Sequence, residues 1–344
     1  MRVFITGATG FMGGRVAARL VSAGCEVVAL VRDPERTGRL PEGVRAVAGD
    51  VTDRPSLERG MEGCEAVVHM AALVKRWAPE VTAFDRINVE GFRNVVAAAE
   101  SRRIGRILYT SSFIALGPTD SRVADESFEL PGRSFHNDYE RTKCLADREA
   151  RKAAERGVPL VVLYPGVTYG EGSLTDGNIV AQAGLKFLRR KIPATIGPGD
   201  RRQCFSLIDD VAEGHWLALR KAEPGSRYIL GGENRTIREL FAQMEKATGI
   251  LAPRRSMPYW LARTVGKMMR WRANLFGIEP ELTDEEVGIY EHEWAYTSEK
   301  ACRELGYRIT AFEEGVGRLM RWLMSLEGGK PRARASSIGT AAAG

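Results

Sequence analysis

No Cys-x-x-Cys pair occurs among the five scattered cysteines, Cys25, Cys64, Cys144, Cys204 and Cys302. The four histidines, His69, His136, His215 and His292, show no metal-ligand spacing either. A metal centre is therefore not expected, and an odd number of widely separated thiols fits reduced cysteines in a cytosolic protein. No run of about 18 apolar residues is present, so nothing is expected to span a membrane. The chain opens straight into a strand-like run, which argues against a secretory leader. No block of like charge marks a nucleic-acid face, although 50 Lys+Arg against 44 Asp+Glu leave a formal +6. Part of that excess sits in Lys330, Arg332 and Arg334, and the balance mildly favours anionic ligands or surfaces.

What is present is a folded chain: 344 residues, 44% hydrophobic, enough for one large α/β domain or two modest ones. Its first stretch organises the rest. Val3, Phe4 and Ile5 read as a buried strand, glycines follow at Gly7, Gly10 and Gly13, and from Phe11 the apolar period turns helical. A strand feeding a glycine turn and a helix N-terminus aims backbone N–H groups and a positive dipole end at one point, which suits a pyrophosphate. Thr9, Phe11 and Met12 lie in the same turn.

Further buried strands are expected at residues 26–31, 44–47 and 66–72, with a helix over residues 88–99. Strands alternating with helices predict a parallel sheet with right-handed crossovers. The second strand ends in Arg32-Asp33-Pro34-Glu35-Arg36. An acidic side chain there accepts from a ribose 2′-hydroxyl and an arginine receives a 2′-phosphate, and spacing alone does not separate Arg32 from Asp33. Arg36 and Arg39 add positive charge, so NADP(H) is favoured, with NAD(H) the alternative. Asp50, followed by Val51, stands where it could reach an adenine. Ala71 and Ala72 are small enough for a flat ligand to lie against the backbone. His69 reads as a packed core histidine.

Chemistry enters at Arg106-Ile-Leu-Tyr-Thr-Ser-Ser112, which brings Ser111 and Ser112 to a strand end, the edge where open parallel sheets hold ligands. Tyr139 and Lys143 follow at i and i+4, one face of a helix. An adjacent ammonium is expected to lower the phenol pKa and make Tyr139 an acid/base.

In that order, Thr6-Gly-Ala-Thr-Gly-Phe-Met-Gly13, Gly49-Asp50-Val51, His69-Met-Ala-Ala72, Asn88-Val-Glu-Gly91, Tyr109-Thr-Ser-Ser112, Tyr139-x-x-x-Lys143 and Tyr164-Pro-Gly166 resemble the extended short-chain dehydrogenases/reductases over residues 1–325. Within that family the chain is most similar to the dihydroflavonol-4-reductase and 3β-hydroxysteroid dehydrogenase branch, which includes hopanoid-associated sugar epimerase-like members that Lys75-Arg-Trp-Ala-Pro79 and Tyr228-Ile-Leu-Gly-Gly232 resemble. The resemblance implies a Rossmann-type doubly wound α/β sheet with a smaller, discontinuous substrate-binding region. Residues 1–166 would bind the cofactor and 204–232 would rejoin them. Residues 167–203 and 233–326 would form the substrate and lid region, and 327–344 a loose tail. It further implies Tyr139 as acid/base, Lys143 on the nicotinamide ribose, and Ser112 on the substrate oxygen with Ser111 as fallback. Asn88, Pro165 and Gly166 would complete the cofactor site. A homodimer packed through the helices of Asn88 and Tyr139 is implied as well.

One departure concerns Gln203, which stands where sugar-nucleotide members of the family carry an arginine for a nucleotide phosphate, with Arg201 and Arg202 displaced. Residues 258–271 predict an amphipathic helix with Arg263, Lys267 and Arg270 on one side and Leu261, Val265, Met268 and Met269 mostly opposite. The simpler expectation is a lid packed on the core; the sharper one is an interfacial helix at anionic lipid. These features favour an NADP(H)-preferring oxidoreductase that interconverts a ketone and a secondary alcohol on a bulky apolar molecule. Its rivals are an NAD-dependent sugar epimerase or dehydratase and a silent dinucleotide-sensing regulator.

Overall fold

Val3, Phe4 and Ile5 alternate across strand β1 (Arg2–Thr6), and both sides are covered. Val3 and Ile5 meet Val16, Ala17 and Leu20 of helix α1 (Phe11–Ser22), while Phe4 joins Leu57, Phe92 and Val95 in the opposite layer. In this computed structural model residues 1–33, 38 and 40–328 are described. Arg36, Arg39 and the tail beyond Gly328 lie outside the described residues.

The chain continues through β2 (Glu26–Val31), β3 (Val44–Ala48), α2 (Arg54–Gly60) and β4 (Ala66–His69). Helix α3 (Thr82–Phe84) runs through a π-helical turn, Asp85–Glu90, into α4 (Gly91–Ser101). The helix expected over 88–99 thus begins two turns earlier, with Asn88 inside the widened turn. Next come β5 (Arg106–Thr110), α5 (Asp138–Glu155) and β6 (Leu160–Pro165).

Beyond β6 lie β7 (Val167–Tyr169), α6 (Ile179–Leu188), β8 (Thr195–Ile196), β9 (Arg202–Leu207), α7 (Ile208–Lys221), β10 (Arg227–Leu230) and β11 (Asn234–Thr236). They are followed by α8 (Ile237–Thr248), β12 (Ser256–Met257), α9 (Tyr259–Phe276), α10 (Asp284–Tyr290), α11 (Glu299–Leu305) and α12 (Phe312–Leu326). Helix α9 outruns the expected 258–271 by more than a turn and stops where Gly277 takes φ +68°.

The main sheet has the order β3-β2-β1-β4-β5-β6-β10, every pair parallel. Helices α2, α4 and α5 cover one face and α1, α7 and α11 the other, the doubly wound arrangement that β-α alternation predicts. Strand order reverses between β1 and β4, so the crevice at their C-terminal ends is where such a sheet takes a ligand. The outer strand β10 is closed by the Glu126 carboxylate, which accepts from the Ile229 N–H at 2.7 Å. β9 does not enter this sheet. It pairs with β7 and β11 in a three-stranded sheet, over which α6, α8 and α12 gather Tyr169, Phe205, Phe241, Phe312 and Leu319 into a separate core.

Candidate active site

The glycine turn after β1 is shaped by what surrounds it. Gly7 sits at φ +81°, and a Cβ there would lie 2.8 Å from the Ala71 backbone nitrogen. A Cβ on Gly13 would come within 2.1 Å of the Gly7 carbonyl oxygen. Both clashes are with backbone, so only glycine lets α1 settle against the strand ends. Helix α1 starts at Gly10 with no side-chain cap and no acid in its first turn. Its opening N–H groups, from Phe11 to Gly13, therefore face the crevice with their dipole uncompensated, a cradle that fits a pyrophosphate.

Around this cradle the other expected residues gather at C-terminal strand ends. Arg32 and Asp33 follow β2 and are exposed. Asp50, after β3, accepts from the Thr52 N–H at 2.9 Å and its hydroxyl at 2.8 Å, which fixes its carboxylate in a tight turn. Val51 differs: its side chain is core, and its carbonyl accepts from Asn94 at 3.0 Å. Ala71 and Ala72 follow β4. Pro165 and Gly166 end β6, where a Cβ on Gly166 would meet the Cys204 carbonyl at 2.3 Å. Asn88 is buried and acts as a brace: its amide oxygen accepts from the Leu73 N–H at 2.7 Å and its NH₂ donates to Thr142 at 3.0 Å.

His69 is packed, as expected. The Thr6 hydroxyl accepts from the N–H groups of Met70 and Ala71, so its own proton goes to His69 Nδ1 at 2.8 Å. Burial and the nearby Lys143 pull the imidazole pKa down to about 3, which leaves it neutral.

Helix α5 carries the candidate acid/base residues. Asn137 caps it by accepting from the Glu140 N–H at 2.8 Å. Tyr139, Lys143, Asp147 and Arg151 then follow at intervals of four, one face turned to the sheet edge. Lys143 is buried, and its ammonium donates to the Thr110 carbonyl at 3.0 Å over the Tyr109 ring. Burial lowers its pKa to about 8, opposed by Asp147. Burial also pushes the Tyr139 phenol up to about 12, with Ser112 acting in the other direction. The expected depression of the phenol by Lys143 is thus corrected: desolvation of the phenolate outweighs the Ser112 hydrogen bond.

The two serines are separated by direction. Ser112 caps the short 3₁₀ turn Phe113–Ala115 beside Tyr139, while Ser111 is buried and faces Asp147 at 3.5 Å. Asp147 escaped the sequence reading. Its pKa is raised by burial, against an ion pair with Arg151 at 3.0 Å. The four-residue spacing was the signal that could have found it. A second missed pair is Arg133 and Glu140, buried and 3.2 Å apart, with Arg133 also donating to the Ile114 and Ala115 carbonyls. Together they hold the loop that delivers Ser112 against the first turn of α5.

A cavity of about 440 Å³ opens at the start of α5. Trp77, Phe84, Asn137, Asp138, Ala273 and Asn274 are among its walls, and Asn137 and Asp138 immediately precede Tyr139. Gln203 is buried and donates to the His292 carbonyl at 3.3 Å, and Arg202 is paired with Glu293 at 2.8 Å. Both side chains are thus engaged with partners inside the protein.

Comparison with known proteins places this geometry. A Synechocystis sp. protein provisionally named dihydroflavonol 4-reductase is 33% identical over 335 residues, 94% of each chain. The 4-hydroxy-2-methyl-3-oxo-4-farnesyl-3,4-dihydroquinoline-1-oxide ketoreductase of Stigmatella aurantiaca is 30% identical over 90% of this chain and 93% of its own. In fold, the UDP-glucose 4-epimerase of Thermotoga maritima superposes with a TM-score of 0.77 at 19% identity, over 95% of this chain and 100% of that one. The model of the NAD dependent epimerase/dehydratase family matches residues 3–231. The chain therefore belongs to that family, among its extended short-chain dehydrogenases/reductases, and is an NAD(P)-dependent oxidoreductase.

Proposed function

We propose that this enzyme is an NADP(H)-preferring reductase that interconverts a ketone and a secondary alcohol on a bulky, largely apolar substrate. The observation that carries the reading is the half-buried Tyr139, held protonated beside Ser112 at the end of β5. A neutral phenol in that place is an acid waiting for an oxygen that gains charge. When bound, the nicotinamide supplies the hydride to the carbonyl carbon or takes it back. Ser112 hydrogen-bonds the carbonyl oxygen and Tyr139 delivers the proton to it, so the product is the alcohol. Lys143 holds the ribose and keeps positive charge near the phenol as it gives up that proton.

The substrate class is supported by the ketoreductase relative, whose named substrate carries a 3-oxo group and a farnesyl chain. Preference for NADP(H) is supported by Arg32, exposed at the end of β2. The test is NADPH oxidation with prenylated or long-chain ketones against nucleotide sugars. Stoichiometric loss of NADPH with the ketones is expected, and conversion of a sugar at constant absorbance would establish an epimerase instead. Tyr139→Phe should lower turnover about 10²- to 10⁴-fold; full activity in that variant refutes the proposed acid.

A further inference from the structure

Helix α9 is amphipathic in the opposite sense to a helix held by its own core. Its buried positions are Ala262, Gly266 and Ala273, and a Cβ on Gly266 would come within 2.4 Å of the Asp284 backbone nitrogen. Two arginines on the protein side are already matched: Arg263 to Glu291 at 2.6 Å, and Arg270 to Asp284 at 2.8 Å and Glu285 at 2.7 Å. This corrects the sequence expectation, in which Arg263 and Arg270 joined Lys267 as the lipid-facing cations.

The bulky apolar side chains stand outside. Trp260 is 70% exposed, Met268 67%, Trp271 65% and Leu275 57%, with Phe276 at the helix end and Ile278 just beyond it also exposed. At about 100° per residue, the first four fall within an arc of about 80°. Lys267 borders that arc on one side and Arg272 on the other. Both are exposed, as are Arg254 and Arg255 just before the helix, and none has an ion-pair partner among the described residues. A helix folded onto its protein for hydrophobic gain buries its tryptophans and exposes its alanines. Here small residues allow close approach to α10 and leave the large ones to meet something else.

We propose that α9 docks this protein onto an anionic bilayer, with Trp260, Met268, Trp271 and Leu275 among the upper acyl chains and Lys267, Arg272, Arg254 and Arg255 against lipid phosphates. Charge decides the occupant. Cations on both edges of the apolar arc complement an anionic surface and would repel an identical face in a twofold pair. The inner side of the same helix, at Arg270, Ala273 and Asn274, walls the cavity that reaches Asn137 and Asp138. Docking therefore brings the helix that walls this cavity to the phase where an apolar ketone resides; this last step rests on the lipophilic-substrate reading above.

The experiment is cosedimentation of the full chain, without cofactor or substrate, with vesicles of phosphatidylcholine alone or mixed equally with phosphatidylglycerol, at low salt. Binding to the mixed vesicles is expected. The triple variant Trp260→Ser, Met268→Ser, Trp271→Ser should bind at least about tenfold more weakly with an unchanged melting curve. Lys267→Glu with Arg272→Glu should erase the preference for phosphatidylglycerol. A wild-type protein that stays in the supernatant, or a triple variant that sediments equally, overturns the proposal. So does a dimer in sedimentation velocity that the triple variant breaks without vesicle binding, which would make the face an interface between copies. Because the assay holds neither cofactor nor substrate, failure of the reductase reading leaves its outcome untouched. Conversely, NADPH oxidation by the triple variant with a detergent-dispersed ketone tests that reading separately.

Discussion

The Lys143 ammonium donates to the carbonyl oxygen of Thr110 at 3.0 Å, tying the middle of α5 to the last residue of β5. The strand side of this tie is itself pinned. Thr110 donates its hydroxyl to His215 Nε2 at 2.9 Å, and the His215 Nδ1–H donates to the Val211 carbonyl at 2.7 Å. Burial lowers the His215 pKa to about 4, so the ring stays neutral and keeps one donor and one acceptor. A buried, partly discharged lysine is thus held at a fixed distance from the strand end that carries Ser112.

The first prediction concerns this lysine. Its folded pKa, about 8, is below the unfolded value, so between those two pH values the unfolded chain binds more protons. Lys143 therefore costs stability at neutral pH, and that cost fades as pH rises from about 8 toward about 10.4. Melting temperatures of wild type and Lys143→Met followed from pH 7 to 10 should move in favour of the wild type. The variant should lose turnover about 10²- to 10⁴-fold while it still folds. A temperature difference that stays flat across that window would show that Lys143 is not desolvated as described.

Gly13→Ala tests the cradle. Its new Cβ would sit 2.1 Å from the Gly7 carbonyl, a backbone atom that has no rotamer to escape into. Destabilisation of about 1–3 kcal/mol is expected. Displacement of the α1 N-terminus should also weaken NAD(P)H binding by at least about tenfold, by fluorescence titration. Normal melting and normal affinity would mean that α1 is seated elsewhere.

Arg32→Ala addresses cofactor choice. Removal of one charge-assisted contact to a 2′-phosphate, worth about 1.5–3 kcal/mol, should raise the Kd for NADPH about 10- to 100-fold. The Kd for NADH, which has no such phosphate, should stay within a factor of a few. Equal losses for both would place Arg32 outside the ribose site.

Glu140→Gln leaves the buried Arg133 guanidinium without its anion, 3.2 Å away in the wild type. A cost of about 3–5 kcal/mol is expected in chemical denaturation, with a much smaller one in the double variant Arg133→Met, Glu140→Leu. Because Arg133 also holds the Ile114 and Ala115 carbonyls, the single variant should lower kcat even where folding is complete.

Legibility in the sequence followed range. The strand–glycine–helix start and the Tyr139–Lys143 interval are local, and local spacing maps directly onto backbone geometry. Strand alternation likewise gave the parallel sheet. Distant matters were hidden. Family resemblance favoured Ser112 over Ser111, but the partner that parts them, Asp147, lies on another element. The pull on the Tyr139 phenol was expected downward from its neighbour in the helix, yet burial by the rest of the fold drives it upward.

By itself, then, the sequence determined the β-α order, the strand–glycine–helix turn and the shared helical face of Tyr139 and Lys143, since each depends on chain geometry within a few turns. Tertiary structure decided their protonation, the roles of Asp147 and of the Arg133–Glu140 pair, and the sidedness of α9. Helical period shows that a helix has two faces. Which of them is covered depends on what the rest of the chain brings against it, and here Thr283 and Asp284 approach so closely that only the small side of α9 fits.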